Sequence, residues 1–537
     1  MNHYVDTLAP QAKKNTVTNQ MTPIPGREKE MVRNSAGGFS FTLDQWGYLD
    51  RFLILGSDQP TYYASAQKLT KDAAGNVLKC IKADGVRTVN RIVEISDDGR
   101  APKNDSAVFA LALAAINGDQ ETVTAAYAAL PKVARTGTHL FQFVAALDAM
   151  GKWNAAAKRG VAAWYTKRSE DKLAVQLLKY QSRDGWSHRD VLRLAHVKPN
   201  TESQSALFRY SVKGADAIEF GTAVPQLLVD FEMLKRATTA SEVVRIIESN
   251  KDVTWEMVPT QFHRDKNVMS ALVKNMGMTA VIRKLGQLTN IGVIQNFSED
   301  TKAIVAKLSD GEAIRKGRVH PITILTALKQ YSMGRGHKGD LTWAANQRIV
   351  DALNDSFYEA FKYVDSTGQG YLLGIDISGS MFGSPVGQTG LTAAEVAAVM
   401  ALGVAKRESN YEMFGFDIRP KPLKISPAMR LNDALQAMRN LRWQAGGTDC
   451  SQPMLYAMDQ QYAGVDKFCV YTDNETYAGR MQPVEALRKY REKYNRNSKL
   501  IVCGTSVTHF TIADPKDPGM LDIVGFDSAA PQLIQTF

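Results

Sequence analysis

Residues 371 to 381 read YLLGIDISGSM. An apolar run ends in Asp376, and Ser378 and Ser380 follow at alternate positions. Burying a carboxylate and two hydroxyls at the end of an apolar strand costs free energy unless they share a partner. The stretch therefore predicts a strand that stops at a ligand site. Three more β-rich runs follow: YEMFGF (411–416), KFCVYTD (467–473) and KLIVCGT (499–505). Between them lie helical stretches such as LTAAEVAAVMALGVAKRE, MRLNDALQAMRNL, SQPMLYAMDQQY and PVEALRKYREKY. Strands alternating with helices predict an open parallel sheet covered on both faces. Such sheets bind ligands at the carboxyl ends of their strands, where Asp376 falls.

Two further strand ends join it. GGTDC (446–450) places Thr448 after two glycines, and FCVYTDNET places Asp473 at the end of another apolar run. Asp376, Ser378, Ser380, Thr448 and Asp473 would offer only oxygens, two of them anionic. That set suits a hard divalent cation, Mg²⁺ first and Mn²⁺ second, which keeps water and an open position for an acidic or phosphate ligand. Two alternatives stand beside it. The Asp and Ser side chains could simply cap backbone amides at a strand-to-helix turn, or Asp376 could accept a phosphoryl group. The second would call for an acid two residues on, where Ser378 stands.

The chain ahead of this region has a different texture. At 537 residues it exceeds one ordinary core, so two or more domains are expected. Residues 1–35 are polar, with scattered Pro, Asn and Thr, and read as an extended or mobile segment. From about residue 40 to 360 apolar residues recur at three and four positions, as in SAVFALALAAINGD, THLFQFVAALDAM and PITILTALKQYS. More than a dozen short helices without strands predict helix pairs stacked into a solenoid, with no fixed-period motif. The boundaries expected are 1–35, 36–364 and 365–537.

Charge divides the same way. From Asp365 onward 17 Lys and Arg face 18 Asp and Glu, whereas before it 48 face 37, so the whole surplus of +10 lies in the helical part. A local excess of that sign favours polyanions, nucleic acid first. Cys80, Cys450, Cys469 and Cys503 form no CxxC pair and read as reduced, buried thiols. MNHYVDTLAPQAKK lacks the apolar core of a signal peptide. No run approaches the roughly 20 apolar residues of a membrane span. A cytoplasmic protein is expected.

Cations concentrate between Lys152 and Lys198, where eleven Lys and Arg face four acids and Trp153, Trp164, Tyr165, Tyr180, Trp186, His188 and His196 are interleaved. Cations at helical spacing track a phosphate backbone, and aromatic rings stack on unpaired bases. The bland reading is a solvated helix face with Trp164 and Trp186 in the core.

Specific strings carry a resemblance. RFLILGS followed by TYY, GWSHRDVLRLAHVKP, MTAVIRKLGQLT, RVHPITIL, GGTDC, TDNET, KLIVCG and FTIADP resemble, in order over about residues 40 to 537, the Ro 60-kDa autoantigen family, and within it the bacterial branch. Residues 369–537 resemble a von Willebrand factor A domain, and the five oxygens match its metal-ion-dependent adhesion site. The resemblance implies a ring of HEAT-like helical repeats closed within one chain by a doubly wound A domain, monomeric and non-catalytic. It implies binding of Y RNA on the basic outer surface and of the single-stranded ends of misfolded or immature noncoding RNA in the central hole. It further implies exoribonuclease partners such as polynucleotide phosphorylase, and roles in RNA quality control, rRNA maturation and stress survival. His188 of GWSHRD is the leading RNA-contact candidate, flanked by Lys167, Arg168, Lys172, Arg183 and Arg189.

Two competing classes remain at this level. One is a helical scaffold whose A domain recruits an acidic protein through the metal. The other is an Mg²⁺-dependent hydrolase, which lacks a general base: none of the eight histidines falls between 338 and 508.

Overall fold

Polar residues at the starts of the helices set the boundaries of the helical array. Asp84, Thr136, Asn154, Thr201, Thr239, Asp265 and Ser298 each accept a backbone N–H of the first turn, an N-cap worth about 1 kcal/mol apiece. The structure, a computed structural model, describes residues 17–56, 66–183, 185–219, 223–336, 339–362, 364–387 and 389–537. Among these, eighteen α-helices run from Gln45 to Glu359. They pack in relay: Gly85–Asp97 on Gln120–Val133, Asp105–Asn117 on Gly137–Ala149, Ala155–Thr166 on His188–Ala195, and Ala240–Ser249 on Lys266–Asn275. No helix is long and apolar enough to cross a membrane among the described residues.

An early and a late stretch of the array meet at one seam. Arg318, ahead of the helix Pro321–Ser332, donates to the Asp97 carboxylate and carbonyl, both at 2.6 Å, across 221 residues of sequence. Gly99, at φ +65°, lies against the Arg318 side chain, where an added Cβ would come within 2.7 Å of Arg318 Cβ. A side chain there would both strain the backbone and force the seam apart. Arg100 then donates to Asp527 at 2.6 and 2.9 Å, and Lys362 N–H donates to the Ser528 carbonyl.

Two strands precede the helices, β1 (Met31–Arg33) and β2 (Phe39–Thr42), and a short hairpin of β3 (Ser182–Arg183) and β4 (Trp186–Ser187) interrupts them. The C-terminal domain contributes β5 (Tyr371–Asp376), β6 (Tyr411–Phe416), β7 (Pro420–Pro422), β8 (Lys467–Thr472), β9 (Lys499–Gly504), β10 (Phe510–Thr511) and β11 (Met520–Val524). Its six-stranded sheet has the order β11-β9-β8-β5-β6-β7. Every pair is parallel except the antiparallel β6–β7 edge. Alternation then fills two cores: Leu373, Ile375, Cys469, Tyr471 and Ile501 face the core shared with the helical array, while Leu372, Phe468, Val470 and Leu500 face the second. All four cysteines are free and buried.

Residues 1–16 of the N-terminal segment lie outside the described residues, and from 17 onward the chain is tied to the C-terminal domain. β2 pairs with β1 and with β10 of the C-terminal domain, both antiparallel. Thr18 donates its N–H and hydroxyl to Glu485 at 2.8 and 3.0 Å. The first helix, Gln45–Leu55, adds a buried tie: Arg51 donates to Thr508 Oγ1 (2.6 Å), the Phe510 carbonyl (3.0 Å) and Asp522 (2.5 Å).

Candidate metal centre and nucleic-acid interface

Loops at the carboxyl ends of β5, β6 and β8 are stitched by backbone hydrogen bonds to a fourth loop, residues 445–450, which lies between the helices Leu431–Leu441 and Gln452–Asp459 rather than at the strand end expected for GGTDC. Gly379 N–H donates to the Gly446 carbonyl, Asp449 N–H to Asp417, and both Tyr477 and Ala478 N–H to Thr448. This brings together Asp376, Ser378, Ser380, Thr448 and Asp473, none more than 6% exposed. Asp376 accepts the Ser378 N–H at 2.9 Å and the Thr472 hydroxyl at 2.7 Å. The Ser378 and Ser380 hydroxyls lie 3.1 Å apart. Burial, and then the charge of Asp473, push the Asp376 carboxyl well above the usual carboxylate range. Burial raises Asp473 too, and a hydrogen bond from Ser380 tempers it.

Among the described residues, no Lys, Arg or His forms an ion pair with Asp376 or Asp473. Two adjacent buried carboxylates without a cationic partner are costly, and a divalent ion ringed by hydroxyls is the partner this chemistry fits. No cluster of three or more His, Cys, Asp or Glu at metal-holding geometry occurs among the described residues. The donor set here is of another kind: two carboxylates and three hydroxyls.

The second candidate lies on the helical array. Ser187 caps the helix His188–Ala195 in a reciprocal box with Asp190. Gly185, at φ +81°, turns the chain between β3 and β4. This hairpin and helix display Arg183, Arg189 and Arg193, all exposed, with exposed His196 and Lys198 just beyond. Arg189 and Arg193 are four apart and share a helix face. Lys167 and Lys172 are exposed on the neighbouring segment.

His188 sits elsewhere than the sequence suggested. It is 2% exposed, its Nδ1 lies 2.8 Å from the Tyr165 hydroxyl and its Nε2 lies 3.3 Å from the Gln176 carbonyl. Phe141 packs at 4.7 Å and Trp164 stacks at 6.2 Å between centroids. Burial pushes its pKa down to about 3, so the ring is a neutral peg and does not contact solvent. The expected RNA contact is corrected to a positioning residue that seats the helix bearing Arg189. Arg168 is corrected likewise: it lies 3.6 Å from the Trp164 ring and donates to the Trp164 and Ala134 carbonyls.

Comparison with known proteins places these features. A family profile described as the Ro60 vWA domain matches residues 370–537. One described as the TROVE domain matches residues 32–230 and 245–332. The chain belongs to the Ro60 family. It is 39% identical over 513 residues to the RNA-binding protein RO60 of Deinococcus radiodurans, covering 95% of this chain and 96% of that one. It is 33% identical over 582 residues to the RNA-binding protein RO60 of Caenorhabditis elegans, covering 94% and 90%. The crystal structure of the Deinococcus radiodurans Ro (Rsr) protein superposes with a TM-score of 0.68 at 37% identity, covering 92% of this chain and 99% of that chain. A helical-repeat ring closed by a von Willebrand factor A domain is thus the fold of this Ro60-family chain.

Sequence reasoning missed the strap that braces the metal centre. Gln20, fully buried, donates to Asp449 (2.7 Å) and the Met481 carbonyl (2.8 Å). Its carbonyl accepts from Thr476 (2.6 Å) and the Gly479 N–H (2.9 Å). Asn34 donates to the Thr476 carbonyl, and Ala36 N–H to Glu475. One side chain therefore clamps the loops that carry Thr448 and Asp473. Glu475, pushed up to about 7 by burial and by Asp473, and Asp449 are the acids next to the site that its motif did not flag.

Proposed function

We propose that this chain is a non-catalytic, cytoplasmic RNA-binding ring that engages Y RNA through the exposed cations of residues 182–198. It holds the single-stranded ends of misfolded or immature noncoding RNA, rRNA precursors among them, and presents them to exoribonucleases such as polynucleotide phosphorylase during quality control and stress. The observation that carries this reading is the charge division: 48 basic against 37 acidic residues precede Asp365, and Arg183, Arg189 and Arg193 stand exposed on one hairpin and helix. Membership of a family whose relatives are named RNA-binding proteins supports it. A phosphate backbone binds such a surface by releasing counterions.

Asp376, Ser378, Ser380, Thr448 and Asp473 would hold Mg²⁺ or Mn²⁺. When bound, the ion would neutralise the carboxylate pair and offer one acidic ligand a coordination position. The chain's own contribution is to fix the five oxygens: Gly446 anchors Gly379, Thr472 orients Asp376, and Gln20 holds the Asp473 loop against Thr448. Ultraviolet crosslinking and sequencing of RNA held by the chain in cells tests the reading. Enrichment of Y RNA and of noncoding RNA with unpaired 3′ ends is expected. Recovery of no RNA above background, or RNA cleavage by the purified chain that Asp376→Ala abolishes, would overturn it.

A further inference from the structure

The C-terminal domain carries a groove of about 710 Å³ between the β7 edge and the helix Leu431–Leu441. Leu423, Ile425, Met438 and Leu441 give it an aliphatic floor, and Arg419, Lys421 and Lys424 stand on its rim. No acid lines it. Lys421 is paired with Asp417, while Arg419 and Lys424 form no ion pair among the described residues. At one end the lining residue Gln444 continues into Trp443, which is 87% exposed. Ile418, next to Arg419, is 47% exposed. A large exposed indole beside an aliphatic cleft is the composition of an interface anchor.

The form of the occupant follows from the walls. β7 reads Pro-Lys-Pro, and prolines cannot donate to an added strand, so the edge resists pairing with an extended peptide. The floor is aliphatic where a path for unpaired bases would offer stacked aromatic rings. The domain from Asp365 onward carries 17 basic against 18 acidic residues, so no broad field draws a long polyanion here. A short partner that brings its own carboxylates to Arg419 and Lys424, and apolar side chains to the floor, meets both conditions. We propose that this groove docks an amphipathic helix of a partner protein, acidic along its margins and aliphatic on its seated face, with Trp443 as the anchor. This surface is separate from the cations of residues 182–198, so the ring would hold a protein on one face and RNA on another.

Site-specific photocrosslinking on the full chain in cells tests it, with Asn440→p-benzoylphenylalanine on the exposed side of the groove helix, read after ribonuclease digestion. The expected product is a protein adduct whose crosslinked peptide, identified by mass spectrometry, has acids flanking apolar residues at three- and four-residue spacing. Arg419→Glu with Lys424→Glu should lower its yield about tenfold or more, and Trp443→Ala should do the same. Both variants change exposed side chains, and their unchanged thermal melting and RNA retention establish that the ring is intact. Adducts that vanish with ribonuclease, a yield indifferent to charge reversal, or no protein adduct would each overturn the proposal.

Discussion

Replacing Asp376 with Asn should stabilise the metal-free protein near neutral pH, the opposite of the usual effect of altering a buried, hydrogen-bonded residue. Asp376 and Asp473 are 0% and 4% exposed, and the charge of Asp473 acts on Asp376. Burial and Asp473 hold the Asp376 carboxyl above its ordinary value of 3.8. A carboxyl whose pKa is higher folded than unfolded loses stability as pH climbs from the unfolded value to the folded one, because the folded state must release a proton the unfolded state has already lost. Without a cation the advantage of Asp376→Asn over the wild type should therefore be larger near pH 8 than near pH 5, a difference in which the titration of all other groups cancels. Asn keeps an oxygen for the Ser378 N–H and removes the charge, while its NH2 reverses the second bond by donating to the Thr472 hydroxyl oxygen. Relief of one unpaired buried carboxylate is worth about 3 kcal/mol. For a domain of this size that is about 6–12 °C in melting temperature. Mg²⁺ at about a hundredfold excess over Kd should return about 2.7 kcal/mol to the wild type, and none to Asp376→Asn. Thermal melting in chelator and in Mg²⁺, at both pH values, measures all four quantities. A wild type that melts at one temperature with or without Mg²⁺ or Mn²⁺, or a variant that melts below it in chelator, refutes the paired-carboxylate metal site.

Acid sensitivity should follow from three desolvated imidazoles, His188 and His320 buried and His139 half-buried. Burial lowers His139 and His320 to about 4 and His188 to about 3, so the unfolded chain takes up protons that the folded one refuses. Stability should fall as pH drops below about 6.5, by about 1.4 kcal/mol per pH unit for each histidine; His188→Phe should be less stable at pH 7 yet show a shallower acid slope in urea titrations. Gln20→Leu should weaken metal binding by about ten- to a hundredfold in calorimetry without weakening RNA binding, and an unchanged metal affinity would remove Gln20 from the centre's support. Arg51→Met strands Asp522, whose carboxyl burial already pushes up, and should cost about 3–5 kcal/mol; adding Asp522→Asn should recover part of it, and a strictly additive double variant would contradict the coupling.

What the sequence revealed, and what it hid, divides by the distance of the interactions concerned. YLLGID, YEMFGF, KFCVYT and KLIVCG became β5, β6, β8 and β9 because their burial pattern is written in consecutive residues. Asp376 and Asp473 were legible because each ends an apolar strand, and Ser378 and Ser380 because they follow Asp376 directly; Thr448, expected at a strand end, instead lies in a loop between the helices Leu431–Leu441 and Gln452–Asp459. β7 was not, since Pro-Lys-Pro is a strand only by virtue of the edge it occupies. His188 looked like a contact because its charged neighbours are local, whereas Phe141, Trp164 and Tyr165, which bury it, come from other helices. Arg168 misled for the same reason: its ring partner lies one helical turn back and its second carbonyl 34 residues away. Gln20 reads as an ordinary polar residue until the loops more than 400 residues downstream fold around it.

Salt-dependent RNA affinity tests the central claim, that exposed cations on a closed helical ring grip a phosphate backbone. With a labelled structured Y RNA, log affinity of the wild type should fall linearly with log salt concentration. Arg189→Glu with Arg193→Glu should cut the affinity sharply and reduce that slope by about 1 for every phosphate the protein no longer neutralises, while the melting temperature stays put. An affinity and slope unchanged by the double reversal, or a wild type that does not bind RNA near physiological salt, would contradict the account.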